Sequence, residues 1–321
     1  MTSAVTPAVT PADIRAAAQR IAGRVRVTPI MQVAASEFDL PFANTLTLKL
    51  ELLQHVGSFK SRGAFNRVLA AGPLPEAGLI AASGGNHGAA VAFVARALGI
   101  RAEVFVPSSS PAMKRDRIAS LGATVNVVDG LYDDAQAAAI QRQAETGALA
   151  VHPFEHPDVV AGQGTMSLEL EAQMAPAGFD TLLVATGGGG FTAGQAAWFE
   201  GRKRVVSVEP TTSQCLNAAR IAGEPVDVTV AGVASDSLGA RRLGSVAWSI
   251  VGPYVSHSVT VDDDAIRAAQ RLLWDRLRLI VEPGGATAFA ALHSGAYVPE
   301  PDERIVVVVC GANCDPATVT G

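Results

Sequence analysis

The stretch Gly57-Ser58-Phe59-Lys60-Ser61-Arg62-Gly63 sets an aromatic directly before a lysine, with small residues close by on both sides. Downstream, Gly63-Ala64-Phe65-Asn66-Arg67-Val68-Leu69-Ala70 carries a helical pattern, so Lys60 stands near a helix start. One reading is a surface lysine that keeps the chain soluble. The other is a reactive amine held in a shaped site. The heptad alone leaves both open, and the rest of the chain decides between them.

The chain has 321 residues, 49% hydrophobic and 17% charged, enough for a large core and two domains or lobes. Net charge is -5 with no long basic run, so neither nucleic acid nor an anionic membrane surface is an expected partner. No apolar run reaches the roughly 18 residues of a membrane-crossing helix. The start, Met-Thr-Ser-Ala-Val-Thr-Pro-Ala-Val-Thr-Pro, lacks the basic and apolar regions of a signal peptide. Three cysteines do not make a disulfide framework, and a reducing cytoplasm is the expected setting. Cys310 and Cys314 form a C-x-x-x-C pair, but no second Cys/His pair stands near it to complete a metal site.

Pro11 to Ala22 has helical periodicity. From about residue 46, short β-rich runs alternate with Ala-rich helices: 46–50, 79–82, 102–106, 124–128, 181–185, 204–208 and 305–309. These runs are continuously apolar, as strands covered on both faces should be. The pattern implies an α/β protein of βαβ units, with two lobes each built on a central, mostly parallel sheet flanked by helices. Leu79 to His152 reads as a compact block of its own. Residues 79–152 are therefore expected to form a small domain, inserted into a large one made of 1–78 and 153–321.

In open α/β sheets, ligands bind beyond the carboxyl ends of the strands, and four motifs stand at such places. Gly187-Gly188-Gly189-Gly190 follows the run 181–185 and precedes a helix predicted over Thr192–Phe199, where free N–H groups and the helix dipole suit a phosphate. Its spacing fits neither a dinucleotide fingerprint nor a nucleotide loop. Ser83-Gly84-Gly85-Asn86-His87-Gly88 also joins a strand to a helix and could hold a carboxylate, or merely cap the helix. Cys310-Gly311-Ala312-Asn313 ends the most hydrophobic strand. Glu282-Pro283-Gly284-Gly285-Ala286-Thr287 places a carboxylate before a helix. A phosphate cradle, a lysine beside an aromatic, a carboxylate loop and a neutral sulfur at a strand end together suit pyridoxal 5'-phosphate. Lys60 would form the Schiff base.

These motifs, with Ala161-Gly162-Gln163-Gly164-Thr165, resemble the serine/threonine dehydratase and serine racemase family, the fold type II or tryptophan synthase β-like group of pyridoxal-phosphate enzymes. The resemblance spans about residues 15 to 315. It implies that Lys60 carries the cofactor and later takes the α-proton, and that Asn86 bonds the ring's 3'-oxygen. Gly187, Gly188, Gly189 and Gly190, with the Phe191 amide, would hold the phosphate. Phe59 and Gly239 would lie against the two ring faces, Cys310 would face the pyridine nitrogen, and Glu282 would join the cofactor site. Ser83, Gly84, Gly85, Asn86 and His87 would take the substrate carboxylate, with the 79–152 domain closing over it. The implied reaction is β-elimination from a β-hydroxy amino acid such as L-threonine or L-serine, giving a 2-oxo acid and ammonia, in a homodimer.

Departures from the resemblance narrow it. The racemases place a second serine where this chain has Gly84, which disfavours racemisation. They bind a divalent cation through a glutamate and an aspartate six residues on. Glu209 fits the first position but Cys215 holds the second, so an activating cation stays an open question. The chain ends at Gly321, so a C-terminal regulatory domain and feedback by isoleucine are not expected. Arg241 and Arg242 follow Gly239 and could recognise an acidic side chain, such as that of 3-hydroxyaspartate, or simply be solvated. A β-replacing synthase, which usually carries a Thr-Ser-Gly-Asn loop, and a non-catalytic cofactor-binding protein are further alternatives.

Overall fold

The computed structural model describes residues 7–320, which leaves out the first six residues of the Pro/Thr-rich lead-in and Gly321. Among the described residues, ten strands form two sheets. The larger contains β1 (Ile30–Ala34), β2 (Thr45–Lys49), β7 (Thr181–Ala185), β8 (Arg204–Pro210), β9 (Val255–Val261) and β10 (Ile305–Val308), in the order β1-β2-β10-β7-β8-β9. The smaller contains β3 (Leu79–Ala82), β4 (Ala102–Pro107), β5 (Thr124–Val128) and β6 (Leu149–Ala150), in the order β5-β4-β3-β6. Every pairing of these strands is parallel except β1 with β2.

The helices are α1 (Pro11–Arg20), α2 (Lys60–Ala70), α3 (Asn86–Leu98), α4 (Ala112–Ser120), α5 (Tyr132–Thr146), α6 (Pro157–Gln173) and α7 (Gly190–Phe199), then α8 (Cys215–Ala222), α9 (Ser235–Leu238), α10 (Ser245–Tyr254), α11 (Asp263–Leu277), α12 (Pro283–His293) and α13 (Ala317–Thr320). Strand β10 shows why the large sheet must be covered twice. All four of its residues are apolar and buried, and it pairs with β2 on one side and β7 on the other. A strand without a polar face has no side to offer water. Helices accordingly pack on the sheet and on one another, α12 on β7, β8 and β10, and α6 on α7.

Two readings from sequence need correction. Strands β1 and β9 escaped the apolar-run criterion because they are sheet edges whose burial alternates or fades. Strand β5 is also an edge, and Val127 is 51% exposed, so its apolar run does not reflect cover on both faces.

The parallel arrangement has one consequence for function. The segments Ser83–Asn86, Gly187–Gly190, Thr211–Gln214 and Cys310–Asn313 all leave the carboxyl ends of their strands, β3, β7, β8 and β10.

Candidate active site

Lys60 opens α2, and the backbone before it is pinned to the end of β10. Ser58 and Gly311 form an antiparallel bridge, Phe59 N–H donates to the Cys310 carbonyl at 3.4 Å, and Ala312 N–H donates to the Gly57 carbonyl at 3.0 Å. The heptad and the strand-end motif are therefore one structural unit. Lys60 Nζ donates to the Pro153 carbonyl at 3.1 Å and lies 5.1 Å from the centre of the Phe59 ring. That ring stacks on Phe191, centroids 3.8 Å apart and planes 21° apart. Burial lowers the Lys60 amine to about 8, against the pull of Cys310 and Glu282, which favour its charge.

The glycine loop is shaped by close approach. Gly189 is the N-cap of α7 at φ +85°, and a Cβ there would lie 2.8 Å from the Ala247 methyl. A side chain at Gly188 would run into the Phe154 ring. Gly189 offers no capping side chain, so the first-turn N–H groups are left to a ligand. The helix begins at Gly190 rather than at Thr192, drawing the last glycine of the run and Phe191 into that turn.

A polar chain links the two sheets across the site. Asn313 Nδ2 donates to the Val56 carbonyl at 2.7 Å and to Asn86 Oδ1 at 2.6 Å, and Asn86 Nδ2 donates to Glu282 Oε1 at 2.5 Å. Glu282 is buried, and its other oxygen, Oε2, has no hydrogen-bond partner among the described residues. Burial raises its carboxyl above the usual range, while the nearby charge of Lys114 and the Asn86 hydrogen bond pull it back. Cys310 is buried as well; its Sγ lies 3.5 Å from the Gly284 carbonyl, and burial pushes the thiol up, away from thiolate.

Around the β3 loop, Ser83 Oγ accepts from Gly85 N–H at 3.2 Å. A side chain on Gly84 would meet Ser110 Oγ, so the space beside that glycine already holds a hydroxyl. His87 is buried, and its Nε2–H donates to the Val151 carbonyl at 2.7 Å. Burial and the charge of Lys60 bring its imidazole down to about 3, so it is neutral and turned toward backbone. Gly239 follows Leu238, whose Cα lies 3.2 Å from where a Gly187 Cβ would reach.

Arg241 is not gathered with the others. It is 62% exposed and paired with Asp133 at 3.3 Å, and Arg242 is 56% exposed beside Asp227. Each guanidinium meets a surface carboxylate instead of the gathered site residues. Several residues of the site were not predicted. Asn313 stood in a quoted motif without a role. Pro153 acts through its carbonyl, and Phe154 and Ser110 act by filling space, and none of these leaves a signal in residue type.

The residues fit pyridoxal phosphate. A glycine cradle that a Cβ would fill and an amine of lowered basicity suit such a group, and an orphaned buried carboxyl oxygen marks a polar place left for a ligand. The divalent cation does not fit. Both oxygens of buried Glu209 accept backbone N–H groups of α8, from Leu216 and Asn217, each at 2.8 Å. Cys215 points its thiol at the Gly187 carbonyl, 3.0 Å away. Among the described residues, no cluster of three or more His, Cys, Asp or Glu side chains could hold a metal ion.

Residues 21–311 match the family described as pyridoxal-phosphate dependent enzyme. The chain is 36% identical over 299 residues to the biosynthetic L-threonine dehydratase of Escherichia coli, covering 90% of this chain and 56% of that protein. It thus spans a little over half the length of such dehydratases. It is 33% identical to a serine racemase of Oryza sativa subsp. indica, covering 94% of this chain and 90% of the other. The crystal structure of a T.th. threonine deaminase superposes with a TM-score of 0.87 at 35% identity, covering 95% of this chain and 99% of that one. Fold, site and relatives agree that this chain belongs to the pyridoxal-phosphate-dependent enzymes.

Proposed function

We propose that the protein removes water and the amino group from a β-hydroxy amino acid such as L-threonine or L-serine, giving a 2-oxo acid and ammonia. The observation that carries this reading is the convergence at the strand ends: a lysine near pKa 8, a glycine cradle and a neutral thiol. When bound, pyridoxal phosphate supplies an electron-accepting ring conjugated with the substrate's amino group.

The chain's own residues do the rest. Lys60, neutral in a useful fraction at physiological pH, takes the proton from the α-carbon. The Phe59–Phe191 stack walls the site beside it. Amides of the Gly187–Phe191 turn would hold the phosphate, and Asn86, fixed between Asn313 and Glu282, would meet the ring oxygen. Cys310 would bring a neutral sulfur rather than a carboxylate to the ring nitrogen, a setting that suits loss of a β-hydroxyl. The Ser83–Asn86 loop takes the substrate carboxylate at the N-terminus of α3. An acidic substrate loses its main support with Arg241 exposed and paired. The setting proposed is the cytoplasm, and the assembly a homodimer.

The test is a panel of L- and D-β-hydroxy amino acids incubated with the holoprotein, following oxo acid and ammonia. L-threonine or L-serine should give both. Release from neither, with cofactor bound, overturns the reading. The related racemase leaves a second arm. Gly84→Ser alone should crowd Ser110, whereas Gly84→Ser with Ser110→Gly should begin to exchange the α-proton with inversion. Inversion already present in the wild type would make racemisation, not elimination, the activity to develop.

A further inference from the structure

Two loops leave the carboxyl ends of the adjacent strands β7 and β8, and they are tied together. Cys215, the first residue of α8, donates its Sγ–H to the Gly187 carbonyl at 3.0 Å. Two residues earlier, Ser213 Oγ–H donates to the Leu238 carbonyl at 2.8 Å, and Leu238 is the residue that abuts Gly187 and precedes Gly239. One short turn therefore grips both the glycine loop and the segment beside it. The turn is itself anchored. Glu209, at the end of β8, spends one oxygen on Leu216 N–H and the other on Asn217 N–H, satisfying the first turn of α8 as a capping carboxylate does.

That arrangement is built against a hard divalent ion. Such an ion gathers six or more oxygens at about 2.0–2.6 Å. Here the position six residues beyond Glu209 offers a sulfur that is committed as a donor, and burial keeps the thiol protonated. A cation beside Glu209 would also face the N–H dipoles of α8, whose sign repels it.

We propose that Cys215 is a positioning residue for the phosphate-binding loop, and that this hydrogen-bonded turn takes the place of a divalent cation, which the chain neither needs nor holds. The proposal rests on the cofactor reading above. It differs from a purely structural role because it ties one thiol to the affinity for one ligand.

The experiment uses the full chain and two readouts, cofactor dissociation and thermal melting. Cys215→Ala should weaken pyridoxal phosphate about three- to tenfold, the loss of one hydrogen bond to the loop. Cys215→Ser, which keeps a donor, should restore binding to within about twofold of wild type. Melting of the apoprotein should fall less than melting of the holoprotein in Cys215→Ala. A Cys215→Ala protein that binds the cofactor as tightly as wild type overturns the positioning role. In the second arm, wild-type protein is treated with EDTA and then with Mg2+ or Mn2+ alone. Unchanged melting temperatures are expected for apo and holo forms. A rise on adding either ion, reversed by EDTA, overturns the cation-free half. Should the wild type fail to bind pyridoxal phosphate at all, the functional reading falls and takes the Cys215 half with it. The apoprotein metal titration still decides the rest.

Discussion

Lys60 is the residue on which the chemistry turns, and its surroundings explain its basicity. Burial is the cause: the amine is shut away from water at the start of α2 beside the Phe59 ring, and Cys310 and Glu282 only partly offset the loss of hydration. With the amine at about 8 instead of 10.5, roughly a quarter is neutral at pH 7.5, against about one part in a thousand for an ordinary lysine. Only the neutral amine attacks an aldehyde. Uptake of pyridoxal phosphate by the apoprotein should therefore rise about tenfold per unit below pH 8 and level off above it. A rate that climbs steadily to pH 10 would show an unperturbed lysine. The same shift affects stability. Between about 8 and 10.5 the unfolded chain holds a proton on this lysine that the folded chain has shed, so apoprotein stability gains with rising pH across that window. Replacing Lys60 by Met should flatten that part of the melting-temperature profile.

At the scale of elements, the start of α2 is held by a buried ionic cluster two residues beyond the lysine. The Arg62 guanidinium reaches Glu51 through Nε at 2.9 Å and Nη2 at 2.8 Å, and Glu169 at 2.9 Å, while Lys49 meets Glu169 at 2.5 Å. Two cations balance two carboxylates, and Arg62, Glu51 and Lys49 are almost wholly buried. Such a cluster adds little net stability when whole, but removing one member strands charge in the core. Arg62→Met should cost about 3–5 kcal/mol in urea unfolding, and a loss under about 1 kcal/mol would mean that water screens the cluster. None of this could be read from sequence, because Lys49, Glu51 and Arg62 look like surface residues by type. The readable parts were those in which one physical cause acts alone. Thr181–Ala185 was placed to the residue because a doubly covered strand shows as an unbroken apolar run, here Leu182 to Ala185 behind one hydrogen-bonded threonine. The glycine run was legible because a tight turn at a helix start tolerates little else. Edge strands β1 and β9, with mixed burial, carried no such signature. Asn313 gained its role only when Gly57 and β10 came together in space.

At the scale of the whole molecule, the contacts between the two sheets suggest how the site is covered, and we propose that residues 79–152 close over the substrate as a unit. Asn86 and Asn313 bond across the gap at its floor, and two ion pairs bridge its rim: Lys114 of α4 with Asp236 of α9, and Asp133 of α5 with Arg241. The two pairs differ in surroundings, and this decides what each contributes. Arg241 and Asp133 are 62% and 68% exposed, the setting in which an ion pair is worth about 0–1 kcal/mol and salt removes most of it. Lys114 is only 12% exposed, and its charge bears on buried Glu282 next to Asn86. Loss of Lys114 therefore disturbs both the closed arrangement and the polar chain beneath it. Lys114→Met should raise KM for the amino acid about tenfold with a smaller change in kcat, since it removes the cation that acts on buried Glu282 as well as one ion pair of the rim. Arg241→Ala should lower kcat/KM less than about fivefold, and that small loss should vanish in high salt. The measurement is kcat and KM for both variants at low and high NaCl. Equal, salt-insensitive effects would sink the two-pair account of closure. A loss beyond a hundredfold in Arg241→Ala on any one substrate would instead return that guanidinium to the pocket wall, in a closed state tighter than this one.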